Sequence, residues 1–104
     1  MSSDGFNFLA GTETLGSHQQ AWDFDDLGDG GARSFRQYVA FQRAFRHAPL
    51  VHLGIAGFDI ANQDAARLTA TVANVTPDGF EVVLSTWLHT RMWRVDVNWL
   101  ALGH

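Results

Sequence analysis

The sequence predicts an all-β fold, two antiparallel sheets packed face to face, and three observations predict it. Apolar and polar residues alternate with period two in several short runs, turn signals separate those runs, and no stretch carries a 3.6-residue period long enough for a helix. A strand with one dry and one wet face belongs in an antiparallel sheet lying on a single core. Two such sheets close that core between them.

Taken in order, residues 1–34 read as irregular chain, rich in Gly and Asp, with Gly28, Gly30 and Gly31 in a turn-prone stretch. Trp22 and Phe24 are apolar islands that pin this arm to the body. Phe6, Phe8 and Leu9 either do the same or dock on another protein. Residues 35–41 are the first predicted strand, and residues 40–48 leave room for a helical turn that Pro49 ends.

In residues 50–56, Val51, Leu53 and Ile55 face one way and His52 and Gly54 the other. Residues 57–66 read as a loop carrying Asp59, Asn62, Gln63 and Asp64, with Asp59 bonding its own loop backbone. Residues 67–76 set Leu68, Ala70 and Val72 against Arg67, Thr69 and Thr71. Pro77-Asp78-Gly79 then gives a strong hairpin signal.

Residues 80–87 place Phe80, Val82 and Leu84 toward the core and Val83 and Trp87 away from it. Residues 92–101 place Trp93, Val95, Val97, Trp99 and Ala101 inward, against Arg94, Asp96 and Asn98, with Met92 and Leu100 on the outer face. The expected organisation is one domain: an arm and acidic loop over 1–32, then a sandwich over 33–104.

The chain has 104 residues, 46% of them hydrophobic, with four Trp and eight Phe, enough for one real core. Its formal net charge is −4, and all seven cations are Arg. The first 32 residues hold six acids and no Arg, so an acidic region is set to meet a basic surface, on a neighbouring subunit for instance. An acidic chain without a cationic cluster is a poor nucleic-acid binder, because that binding depends on neutralising phosphates. There is no Cys, hence no disulfide and no thiolate metal site. The first residues lack the basic and apolar regions of a signal peptide, and no apolar run approaches the ~20 residues that span a bilayer.

Motifs for chemistry are missing. There is no Gly-x-Ser-x-Gly elbow, no His-Glu-x-x-His and no phosphate-cradling glycine loop. Neighbours in extended chain point oppositely, so Asp25 and Asp26 make no acid–base pair. A calcium loop fails in both registers: started at Asp23 it meets Leu27 at its fifth position, and started at Asp25 it meets Leu27 at its third. The five His are scattered, so no metal site, no cofactor and no catalytic residue is expected.

One ordered set of residues has an identity. It comprises Gly57-x-Asp59, Arg67, Val75-Thr76-x-x-Gly79-Phe80, Thr86-Trp87-x-x-Thr90 and Trp99-Leu100-Ala101. Across roughly residues 33–102 it resembles the H-type lectin domain of snail agglutinins and of the C-terminal part of discoidins. The resemblance implies a six-stranded antiparallel sandwich, assembled as a homotrimer with sugar sites in the clefts between subunits. It implies galactose or N-acetylgalactosamine-type ligands, bound without catalysis or a required metal.

By the same resemblance Arg67 grips the sugar, Trp87 walls the site, and Trp93 stands where the family commonly has Tyr. Leu88 replaces the His that often follows the loop Trp, and His89 is adjacent. The acidic loop residue falls at Asp29, with Gly28 beside it and Asp25 and Asp26 as rivals. Trp93 shares a face with Val95 and Val97, which suits core packing as well as contact with sugar; Trp99 is assigned to the core.

The chemistry fits the residue types. Sugar hydroxyls are met by the rigid donor fork of Arg and the paired acceptors of Asp, and the C–H faces by an indole. Pairing through the Pro77–Gly79 hairpin would bring Arg67 and Trp87 to one end of a sheet, on its outer face. The expected function is a module for a cell-surface glycan or polysaccharide, acting outside the cell or on a particle. The alternative is a trimeric spike or fibre component, docked on a particle protein through its N-terminal arm.

Overall fold

The computed structural model describes residues 7–26, 31–61 and 66–104. Six strands form: β1 (Asn7–Gly16), β2 (Arg33–Ala40), β3 (Leu50–Ile60), β4 (Thr69–Thr76), β5 (Gly79–Thr86) and β6 (Met92–Gly103), with no helix among the described residues. They make two antiparallel sheets of order β1-β6-β3 and β2-β5-β4. The expected all-β fold of six antiparallel strands is therefore present.

The central strands carry the core. Phe80, Val82 and Leu84 of β5 are fully buried, facing Val95, Val97 and Ala101 of β6, also fully buried. Burying a side chain of this size contributes about 1.5–3 kcal/mol. Trp99 lies inside, 8% exposed, as expected. The β4–β5 hairpin turns at Pro77-Asp78-Gly79. Its register slips between Ala73 and Thr76, where Asn74 takes a φ of 52° that Asn tolerates better than most residues.

Four expectations need correction. Residues 7–16 are not irregular, for β1 pairs with β6 along its whole length, Asn7 opposite Gly103 through Gly16 opposite Arg94. The inward positions of β1 are Leu9, Gly11, Glu13 and Leu15, and two of them are not apolar, so the alternation is hidden. Each exception has a partner far along the chain. A Cβ on Gly11 would stand 2.7 Å from the Trp99 ring, and the Trp99 indole donates to Glu13 at 3.4 Å. Irregular chain does describe residues 17–26 and 31–32.

Second, β3 runs on to Ile60 instead of giving way to loop at residue 57. Ala56 is an extra residue opposite β6, and this bulge puts Ile55 and Phe58, three apart, on the same side. Asp59 thus sits in the strand, opposite Arg94. Third, Met92 is in the core, fully buried, and not on the outer face. Between Asp59 and Ile60 the ladder skips Trp93, and a one-residue shift reverses which face a side chain takes. Fourth, residues 41–49 hold no helical turn; the amides of Phe41 and Phe45 bond the carbonyls of Asp78 and Pro77, both at 2.9 Å.

Candidate functional site

At one end of the sandwich β2 and β6 begin, β3 and β5 end, and the chain enters β4. Trp22 and Phe24 plug this end, with ring centroids 4.5 Å apart and Phe35 5.1 Å from Trp22. Both islands are buried, as the arm-pinning expectation required. The plug is also bonded to β6: the Trp22 indole donates to the Met92 carbonyl at 3.0 Å, and the Met92 amide donates to the Phe24 carbonyl at 2.9 Å.

Of the residues singled out in the sequence, Arg67, Trp87, Leu88, His89 and Trp93 lie at this end. Thr69 at the start of β4 pairs with Ser85, and Arg67 and Trp87 each lie two residues beyond that pair, on the chain segments that run on from it. The Thr86 hydroxyl donates to the Arg67 carbonyl, which ties the two chain segments together. Arg67 is half-buried, and Trp87 and Leu88 are exposed at 39% and 46%, an apolar surface on the rim. His89 is exposed beside them. The threonines of Thr86-Trp87-x-x-Thr90 are both buried, at 0% and 3%, so they anchor the loop that displays Trp87, Leu88 and His89. Leu88 has a φ of 59°, a left-handed conformation uncommon for any residue but Gly.

Trp93 is half-buried, with the Arg91 guanidinium 5.3 Å from its ring centre, within the range of a cation–π contact. The bulge at Trp93 sets it apart from the inward row of Val95 and Val97. Gly28 and Asp29 lie outside the described residues, as do Asn62, Gln63 and Asp64. Their rivals Asp25 and Asp26 are at this end, where the Asp25 carbonyl accepts from Arg91 at 3.0 Å and the Asp26 carbonyl accepts from Arg33 at 2.7 Å.

Arg33 and Arg91 are the residues that sequence reasoning missed. Each lies in the sequence as one more scattered arginine; only the folded chain shows what surrounds it. Among the described residues no three His, Cys, Asp or Glu side chains form a metal-binding group. A broad concavity of about 700 Å³ lies elsewhere, on the outer face of β1-β6-β3, lined by residues such as Ala10, Thr12, His52, Asn98 and Leu100.

What this end can do chemically is limited and specific. An exposed indole and an arginine on neighbouring chain segments can stack on a C–H face and donate to vicinal hydroxyls.

Comparison with known proteins agrees with this fold. The H-type lectin domain profile matches residues 36–102. A protein of Fuscovulum blasticum, named ATP synthase subunits region ORF 7, is 36% identical over 87 residues, covering 77% of this chain and 76% of that one. Among solved structures, discoidin II of Dictyostelium discoideum superposes with a TM-score of 0.80 at 20% identity, over 96% of this chain and 37% of discoidin II. This chain therefore spans little more than a third of discoidin II. An R1-type pyocin tail fibre of P. aeruginosa reaches a TM-score of 0.63 at 16% identity, over 97% of this chain and 73% of that one. A tailspike protein of Pseudomonas phage LKA1 reaches 0.68 at 17% identity, over 94% of this chain and 15% of that one.

Proposed function

Because the chain belongs to the H-type lectin domain family, we propose that it binds a galactose or N-acetylgalactosamine-type glycan at the end that carries Arg67 and Trp87, and that it catalyses no reaction. The observation that supports this is the Thr86 hydroxyl donating to the Arg67 carbonyl, which keeps Arg67 at the same end as a 39% exposed Trp87. Arg67 donates to sugar hydroxyls, Trp87 and Leu88 line the apolar face, and His89 and Trp93 flank them. Gly28 and Asp29 supply the acceptor side. With Leu88 where relatives often carry His, a hydrogen bond is exchanged for apolar contact, so the preferred sugar shifts toward one with an exposed methyl or C–H face.

The site is proposed to be completed by a neighbouring subunit in a homotrimer. One cross-strand row on the outer face of β1-β6-β3 runs Phe8, Leu102, Leu50, with Phe8 67% and Leu50 72% exposed. Soluble monomers usually avoid contiguous apolar patches, and burial against other copies removes this one. Val83 and Leu100 add to the outer apolar surface; Met92, being in the core, does not. Three sites on one rigid body engage a multivalent glycan together, and avidity can raise apparent affinity by about 10²–10⁴.

The second reading, a spike or fibre component of a particle, is favoured by the fold similarity to the pyocin tail fibre and the phage tailspike. In that reading the segment ending in Phe6, together with Phe8 and Leu9, docks on a particle protein, and sugar sites are optional. A glycan array with the full chain separates the two: binding to galactose-type glycans supports the lectin, and binding to none favours assembly. Sedimentation yielding a stable monomer at micromolar concentration would remove the shared site.

A further inference from the structure

Arg33 opens β2, opposite Thr86 at the end of β5. Its guanidinium is surrounded by main-chain carbonyls. Nη2 donates to Leu88 at 2.8 Å and to Thr90 at 2.9 Å; Nη1 donates to Asp26 at 2.7 Å and, at the outer limit, to Phe24 at 3.5 Å; Nε donates to Gly31 at 3.4 Å. Arginine has five N–H donors in a planar fork, and here five carbonyl oxygens receive them.

Apart from nearby Gly31, the acceptors belong to two segments that share no strand pairing, residues 24–26 of the plug and residues 88–90 of the loop after β5. Arg91 joins the same region a second time, donating to the Asp25 carbonyl at 3.0 Å while lying over the Trp93 ring. Leu88 is the point of tension. Its φ of 59° strains a residue with a Cβ and persists only where the surroundings hold it. The strongest of the Arg33 contacts include the Leu88 carbonyl itself.

We propose that Arg33 is the positioning residue of the recognition loop. It fixes the left-handed Leu88 and the plug in one arrangement, so that Trp87 and Leu88 stand as a pre-formed wall before any ligand arrives. This rests on the reading of residues 87–89 as glycan-binding. Arg33 precedes the stretch that matches the family profile, residues 36–102, and these bonds go to main-chain oxygens, not to any side chain of the site. It acts through the carbonyls of the loop. Pre-forming a binding surface strengthens binding by removing the cost of ordering it. Lysine cannot substitute: three donors on one nitrogen cannot span carbonyls on both segments.

The test is Arg33→Lys in the full chain, labelled with 5-fluorotryptophan. Four Trp give four ¹⁹F resonances, with that of Trp87 assigned by Trp87→Phe. In the variant the Trp87 line should broaden or split while that of Trp99, inside the core, keeps its position; affinity for the best array glycan should fall about tenfold. Arg36→Gln, which removes an exposed arginine paired with Glu81 at 3.2 Å, should leave the Trp87 line and the affinity unchanged. A Trp87 line unaltered by Arg33→Lys overturns the proposal. A Trp99 line displaced along with it also overturns it, since Arg33 would then hold the whole sandwich and not the loop. The fluorine readout needs no sugar. If the parent binds no glycan but Trp87 still responds, the glycan reading falls and the positioning role stands.

Discussion

The two ends of this sandwich are both closed by aromatic rings, yet by different physics. At the end remote from the candidate site, Phe41, Phe45, Phe80 and Trp99 pack on one another with ring centroids 5.2–5.8 Å apart. The closure there is apolar, with tilted and edge-on geometries that aromatic quadrupoles favour. At the site end, Trp22 and Phe24 are tethered by directional bonds: an indole to a carbonyl, an arginine to five carbonyls, a second arginine to a sixth. Apolar packing resists deformation but presents nothing. Directional bonding to main-chain oxygens costs side-chain entropy, but it holds a loop in an unusual conformation with its apolar residues facing out. The remote end closes the fold, and the site end displays a surface.

Substitutions can break or sharpen that contrast. The largest effect is expected from Phe80→Ala, which empties the centre of the remote cluster and should destabilise the chain by about 3–5 kcal/mol in denaturant unfolding. Glycan affinity per folded molecule should stay at the parent value, and an affinity loss would show that the two ends are coupled. Next comes Trp22→Phe, which leaves the Met92 carbonyl without its buried donor and should cost about 1–3 kcal/mol of stability. Unlike the first, it should also weaken glycan binding, because the plug it loosens backs the site.

Arg67→Ala should act in the opposite sense. The fold should persist by circular dichroism, and glycan affinity should drop by about one to two decades, corresponding to the roughly 1.5–3 kcal/mol of a hydrogen bond to a charged group. Parent-like binding on the array would remove Arg67 from the site. The smallest effect is expected from chelation. EDTA should leave both glycan binding and thermal midpoint where they are, since neither register of the acidic loop completes a calcium site. A loss restored by calcium would mean that residues 23–30 bind the ion in an irregular loop.

What the sequence determined by itself is whatever depends on neighbours a few residues away. Period-two alternation marks β2, β4, β5 and β6 and most of β3, because a strand's two faces are written in consecutive residues. Pro77-Asp78-Gly79 marks the hairpin that pairs β4 with β5, since turn chemistry is also local. Tertiary structure decided what depends on distant partners. β1 exists because β6 offers an edge, Trp99 meets Glu13, and Gly11 leaves room for its ring; none of these is visible in residues 7–16 alone. The bulges at Ala56 and Trp93 reverse the facing of Phe58 and Met92, and a bulge belongs to a pair of strands and not to either one. Arg33 bonds carbonyls 55 and 57 residues away, and a carbonyl is common to every residue, so no side-chain pattern announces which ones an arginine will find.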